Sequence, residues 1–344
     1  MEGTALKRKA SVALLVVVGG VLASCGSSNT TSSSGSSSAA PGPASSSVKV
    51  CILSEFRTRQ DGLPGLEKTY NSAYSKATFV DIGSTAEKNI ASGQCTAGEV
   101  FTTDSAIQAN NLYVLSDDKN LFPPDNAGLI VRQSVLQKYP AIANLMAPVA
   151  AKLDTSTMVQ LNAQVEVQNM KVTDVASAWL TQNGFLSSSY KGGGGTNGTG
   201  SGCAAASGSD GGGAHVSIGS KAFAEEQLLA TMTQLVLQAH GFTVDYTTQA
   251  KDKAIGQALT GGSIDMLWQY TGTELTDYLS LAAGSFPTGL DDAFNFVAQK
   301  DASNQLCWTS ETKFTDTNGI AIKASDKVVY GDTLSAFGAY LASH

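Results

Sequence analysis

Trp268 and Tyr270 close the apolar run SIDMLWQY, and Thr273 follows in YTGT. Open α/β sheets bind ligands at the C-terminal ends of their strands, so this pair of rings is placed to meet one. Two rings ending an apolar run also suit the packed core of a lobe, and taken alone that is the commoner fate. The Thr273 hydroxyl, or the helix amides around it, suit an anion. Lys221 stands at the strand-to-helix turn of IGSKAF, a position for a carboxylate partner or for solvent. An enzyme would take Asp104 or Asp316 as its base, but no Ser/His/Asp or Cys/His set accompanies either carboxylate. His215, His240 and His344 form no metal spacing, and no cysteine pair has the close spacing of a zinc site. No catalytic residue, metal or cofactor is expected, and the chemistry indicated is binding.

Alternating elements must hold these residues. VKVCIL reads as a strand, LPGLEKTYNSAY as a helix, ATFVDI as a strand, TAEKNIAS as a helix and GEVFTT as a strand, which indicates an α/β lobe with a largely parallel sheet. After Phe122 comes the strand-like AGLIVR and then three helical stretches, the last capped by Gly184. From His215 the alternation restarts with HVSIGS, the long amphipathic FAEEQLLATMTQLVLQAHG, FTVDYTT, DKAIGQALTGG and SIDMLWQY. DDAFNFVAQ, QLCWT, GIAIKA and a final helix-like DTLSAFGAYLAS complete the chain. The second half thus ends on a helix with no strand to follow, and the first half opens on a strand with no lead-in. Joining Ser343 to Val48 would repair both.

Between the halves lies SSSYKGGGGTNGTGSGCAAASGSDGGGA, residues 187–214, too poor in large apolar side chains to offset its ordering entropy. It is expected to be a flexible tether, with an r.m.s. reach of roughly 30 Å. The N-terminus carries Lys7, Arg8 and Lys9, then VALLVVVGGVLAS, a basic region and an apolar run too short to span a bilayer. Residues 1–24 are therefore expected to be a secretory signal. The Leu-Ala-Ser-Cys ending resembles a bacterial lipobox, which implies cleavage before Cys25, lipidation of its thiol and a protein anchored outside the cytoplasmic membrane. Residues 25–47 then read as a disordered Ser-rich stalk.

The chain has 22 basic and 29 acidic residues, a net charge of −7. No basic cluster or basic helix face is present, which excludes nucleic acid as the expected partner. Besides Cys25 there are Cys51, Cys95, Cys203 and Cys307, in an exported chain where oxidation is permitted. Cys51 lies in one strand-like run and Cys95 just before the next, so a Cys51–Cys95 bridge between neighbouring elements is expected. Cys203 lies in the tether and Cys307 reads as a buried strand residue.

Several longer motifs carry a resemblance. IGSKAFAEEQLL, GGSIDMLWQYTGTEL and KFTDTNGIAI occur in the second half, and SEFRTRQDGLPGLEKTY, GEVFTTDSAI and DDKNLFPPDNAGLIVR in the first. Together they resemble the substrate-binding proteins of bacterial ABC importers for osmoprotectants such as glycine betaine, carnitine and choline. In that family the GSK and YTGT motifs come first and the DGLPGL, FTTD and FPP motifs last, so the chain resembles a circular permutant. The resemblance implies an α/β, two-lobed periplasmic-binding-protein-like fold of type II, with a ligand cleft between lobes. Lobe 2 would comprise residues 48–125 and 311–344, and lobe 1 residues 126–186 and 215–310, with residues 187–214 joining the old ends. Hinges would then lie near Asp125 and Ser310. Two independent domains, or a dimer with swapped halves, are the competing arrangements.

The implied function is delivery of a quaternary amine to an importer permease by a monomeric, lipid-anchored protein. A quaternary ammonium has no hydrogen to donate, so aromatic faces must hold it. The resemblance places Tyr270, Trp268 and Phe101 in such a cage, Thr273 and Lys221 beside it, and Arg59 as a carboxylate clamp. Asp125 and Asn318 stand where relatives often carry tyrosines. Losing two aromatic walls would cost on the order of 1–2 kcal/mol each for a desolvated cation. Asp125 would instead attract a cation directly, favouring choline or another net-positive ligand over a zwitterion, or it would merely stabilise the turn after Pro124. The alternative function is a sensory or interaction module with a retained small-molecule cleft, or binding of a different cationic or amino-acid-like ligand.

Overall fold

The computed structural model describes residues 44–70, 72–83, 85–193, 202–249, 252–282 and 284–344. The expected signal, Cys25 and nearly all of the stalk lie outside these residues. The described residues include ten strands: β1 (Lys49–Ile52), β2 (Thr78–Asp81), β3 (Ala97–Phe101), β4 (Leu112–Val114), β5 (Ala127–Arg132), β6 (His215–Lys221), β7 (Thr243–Gln249), β8 (Met266–Tyr270), β9 (Leu306–Thr309) and β10 (Asn318–Lys323). They form two five-stranded sheets, ordered β2-β1-β3-β10-β4 and β7-β6-β8-β5-β9. In each sheet four strands run in one direction, and one antiparallel strand enters from the other half of the sequence, β10 between β3 and β4 and β5 between β8 and β9. The molecule is therefore a two-lobed α/β fold of the periplasmic-binding-protein type.

The inner strands β3, β5, β8 and β10 are buried on both faces, as their near-continuous apolar runs require, whereas the edge strands β2 and β7 are largely exposed. In lobe 1, Leu129, Val131, Met266 and Trp268 pack on one face of the sheet, and Ile130, Leu267, Leu306 and Trp308 on the other. The long helix Ala224–Ala239 covers the first face with Leu228, Leu229, Met232 and Val236. In lobe 2, Val50, Ile52, Ile320 and Ile322 face one core and Cys51, Val100 and Ala321 the other. Period-two alternation places successive side chains of each strand in different cores.

Among the described residues two chain segments cross between the lobes: residues 115–126 lead from β4 to β5, and residues 310–317 lead from β9 to β10. They are bonded to each other. Asp316 N donates to the Asp125 carbonyl at 2.8 Å, and the Thr317 hydroxyl to the Pro123 carbonyl at 3.0 Å. Among the described residues no helix is long and apolar enough to cross a membrane.

Cys51 and Cys95 are bridged, with Cα atoms 5.9 Å apart. Cys203 and Cys307 are bridged as well, so Cys307 is not a plain buried thiol. This bridge changes the picture of residues 187–214, whose described parts are docked on lobe 1 rather than flexible. The Tyr190 hydroxyl donates to the Leu145 carbonyl at 2.6 Å, and its ring lies edge-on to Phe185 and His240. The Asn144 amide donates to the carbonyls of Lys191 and Gly208, and Gly211 N donates to the His240 carbonyl. A few anchors in a Gly-rich run suffice to fix it, and composition averages them away.

Candidate functional site

The crossing segments bring two carboxylates to the junction of the lobes. Asp125 and Asp316 are each less than a tenth exposed. Asp125 Oδ1 accepts from Gly272 N at 2.6 Å and Thr273 N at 3.3 Å, which fastens the crossing to the turn after β8. Gly272 is required there, because a Cβ would lie 2.7 Å from the Asp125 carboxyl carbon. Asp316 Oδ1 accepts from the backbone N and hydroxyl of Thr103, at the end of β3.

Lobe 1 supplies its wall from strand ends and the first turn of a helix. Lys221 ends β6, and its Nζ lies 3.0 Å from Glu226 Oε1 and 3.0 Å from Gln269 Oε1. The same Nζ sits 5.2 Å from the Tyr270 ring centre and 5.6 Å from that of Phe223, within cation–π range of both. The Tyr270 hydroxyl donates to Glu225 Oε1 at 2.5 Å, and Asn162 Nδ2 donates to Glu225 Oε2 at 2.7 Å. Asn162 also reaches across to the Thr103 carbonyl of lobe 2 at 3.3 Å.

Lobe 2 supplies Arg59 and Asp61 from the loop before the helix Leu63–Thr69. Arg59 grips Asp61 with Nε at 3.0 Å and Nη2 at 2.9 Å, the two-pronged geometry that suits a guanidinium. Its Nη2 also donates to the Thr276 hydroxyl of lobe 1 at 3.3 Å. Asn318, the first residue of β10, points its amide nitrogen at Asp61. Phe101 pairs with Asn318 in the sheet and is half-buried, with its backbone N donating to Asp104 at 2.8 Å.

Trp268 is not brought to this cluster. It is fully buried in the lobe 1 core, with its indole N–H donating to the Thr233 hydroxyl at 2.8 Å. A residue two positions from the strand end faces the core one pleat deeper than Tyr270. The structure thus gathers Lys221, Tyr270, Thr273, Arg59, Asp125 and Asn318 at the lobe junction and places Phe101 at its edge. Sequence reasoning passed over Asp61, Glu225, Glu226 and Asn162. Glu225 and Glu226 were legible only as two acids in a helix's first turn, where they complement its dipole.

Electrostatics follow from burial. Five buried carboxyls, Asp61, Asp125, Glu225, Glu226 and Asp316, face two cations, the buried Lys221 and Arg59, whose side chain is 10% exposed. Burial pushes Asp125 up to about 7, against the pull of Arg59 and the Gly272 N–H. Burial, and then the charge of Asp316, raises Glu225, while burial and Asp125 raise Asp316. Burial followed by the Glu225 charge holds the Tyr270 phenol far above its ordinary value. Burial opposes the charge on Arg59, but Asp61, Asp277 and Asp125 outweigh it and keep the guanidinium protonated. Burial and mutual repulsion thus make Asp125, Asp316 and Glu225 hold their protons more tightly than ordinary carboxyls, and a further cation among them would favour their ionised forms. Beside the cluster, an open groove of about 380 Å³ is lined by Phe122, Pro123, Pro124, Phe286, Thr315 and Thr317 among others.

Strand ends and helix starts of both lobes thus meet at one junction, bridged by Asn162 to Thr103 and by Arg59 to Thr276. Residues 37–182 and 214–331 match the family described as the substrate binding domain of ABC-type glycine betaine transport systems. The chain belongs to that family. It is a substrate-binding domain, not an enzyme. Over 131 residues it is 35% identical to the ergothioneine transport permease/ergothioneine binding protein EgtU of Helicobacter pylori, covering 38% of this chain and 24% of that one. Over 143 residues it is 34% identical to the glycine betaine-binding protein YehZ of Escherichia coli, covering 40% of this chain and 47% of that one. The matched stretches span less than half the length of these relatives. Among solved structures, an ancestral arginine-binding protein bound to arginine aligns with 86% of this chain and 90% of its own, at 8% identity and a TM-score of 0.35.

Proposed function

We propose that this substrate-binding domain closes its lobes on a small organic cation of the quaternary-amine class and delivers it to the permease of an ABC importer. The observation that carries the reading is the acid surplus buried at the lobe junction: five carboxyls against two cations. A bound cation would remove the surplus, and burial makes the gain large. The relatives named for glycine betaine and ergothioneine support the same class, since both compounds carry a trimethylammonium group. Tyr270 and Phe223 offer the aromatic faces, with Phe101 at the edge and Arg59, Lys221 and Thr273 as polar wall. In this reading the protein is monomeric and held outside the cell membrane by a lipid on Cys25.

The chain is also proposed to be a permuted form of its family. Three observations support this: the family match falls in two blocks either side of residues 183–213, the two chain segments that cross between lobes lie within those blocks, and the helix Leu334–Ser343 packs against Ser45–Ser47. Titration calorimetry against glycine betaine, carnitine, choline, proline betaine and ergothioneine tests the ligand class. At least one member is expected to bind in the micromolar range or tighter, and silence across the panel would sink the proposal.

A further inference from the structure

We infer that the solute of this cleft is a cation that also donates hydrogen bonds through O–H or N–H, and not a fully methylated zwitterion. The inference rests on the proposed function and narrows its ligand. Three observations carry it.

The first concerns groups that would receive a ligand carboxylate. Arg59 is held two-pronged by Asp61, Lys221 is paired with Glu226, and the amides of Gly272 and Thr273 are taken by Asp125. A carboxylate-bearing solute would have to displace one of the chain's own carboxylates at each place, and would add negative charge where acid is already in excess. The chain has filled its anion seats from within.

The second concerns the aromatic faces. Lys221 Nζ already stands over both Tyr270 and Phe223, so the chain's own ammonium takes one face of each ring and reduces the aromatic surface left for a methylated ammonium. Trp268 adds no face, being committed to the core. Rings alone therefore do not define this site.

The third concerns hydrogen-bond acceptors. Asn162 Oδ1 and Asn318 Oδ1 are buried and meet no donor among the described residues, although each amide nitrogen is bonded within the cluster, Asn162 to Glu225 and Asn318 to Asp61. Native proteins rarely leave such atoms unmet, and each one calls for a donor from outside the chain. One asparagine belongs to lobe 1 and the other to lobe 2, so a solute donating to either is held at the junction. A trimethylammonium group has no hydrogen to give; a hydroxyl, guanidinium or ring N–H has.

Calorimetry at pH 7.5 with four matched probes tests this: choline, its O-methyl ether, glycine betaine and agmatine. Choline is expected to bind at least tenfold more tightly than its ether, which keeps charge and methyl groups but loses the donor, and more tightly than glycine betaine. In Asn162→Ala and Asn318→Ala the advantage of choline over the ether should shrink in at least one variant, the ether serving as control for folding. An ether equal to choline, or glycine betaine the tightest of the four, overturns the inference and leaves the quaternary-amine reading standing. Binding of agmatine alone supports the inference and overturns that reading. Silence from all four overturns the inference, and silence from carnitine, proline betaine and ergothioneine as well overturns the quaternary-amine reading with it.

Discussion

Asp125 shows how one side chain ties hinge, site and stability together. Its carboxyl fastens the crossing segment to Gly272, and burial holds its pKa near 7, above the ordinary carboxylate value. An acid raised in the folded state contributes stability that is fully present below its unfolded pKa of about 4 and is lost as pH rises towards 7. Asp316 and Glu225 are raised by the same burial and act in the same direction. Unliganded protein is therefore expected to be less stable at pH 7.5 than at pH 5, and Asp125→Asn should flatten that slope. Asparagine keeps an acceptor for the Gly272 N–H and removes one titrating charge. At about 1.4 kcal/mol per pKa unit the difference amounts to a few kcal/mol, read from urea denaturation at the two pH values. Equal slopes for the variant and the parent would show that Asp125 titrates as an ordinary carboxylate. Its place at the site was legible only through motif position, since a loop aspartate after proline otherwise reads as a turn residue. Asn162 had no local signal at all, and Glu225 only that of an acid in a helix's first turn, because their roles at the junction arise from contacts between distant parts of the chain.

At the scale of elements, strand identity was the most legible feature and linker behaviour the least. Runs such as AGLIVR and SIDMLWQY are apolar enough to be strands buried on both faces, and β5 and β8 are such strands. Antiparallel entry of β5 and β10 was not legible, since periodicity carries no information on direction. Residues 187–214 were read from composition, and composition cannot weigh Tyr190 or Cys203. The Cys203–Cys307 bridge spans 104 residues of sequence, and closing a loop of that size is worth about 4–5 kcal/mol in chain-entropy terms. Cys203→Ser with Cys307→Ser is expected to lower unfolding free energy by a few kcal/mol and to open residues 187–214 to proteases. Ligand affinity should change less than threefold, because Cys307 lies on β9, at the far edge of the sheet from Lys221 on β6. A variant as stable and as protease-resistant as the parent would mean the tether is held by Tyr190 and its neighbours alone.

At the scale of the molecule, the permutation proposal is decided by what must remain connected. The two crossings, β4 to β5 and β9 to β10, are the covalent links between lobes, and both lie inside the blocks 48–186 and 215–344. A chain that places 215–344 first, joins residue 344 to residue 48 through a short Gly/Ser connector and omits 187–214 keeps both crossings and every strand pairing. The join is geometrically easy: the helix Leu334–Ser343 packs against Ser45–Ser47, and Lys76 Nζ donates to the Ala342 carbonyl at 2.8 Å. What the rearranged chain loses is the Cys203–Cys307 bridge and the packing of Tyr190 on Leu145 and His240. With Cys307→Ser included to avoid a free thiol, it is expected to fold with the same circular-dichroism spectrum, to bind its solute within about fivefold of the parent, and to unfold at lower denaturant. The cleft survives because Arg59, Asp125, Lys221, Tyr270 and Asn318 all lie in the retained blocks. A rearranged chain that is soluble and folded yet does not bind would show that residues 187–214 shape the cleft, and one that cannot fold would overturn the proposal that two ends of one fold were joined there.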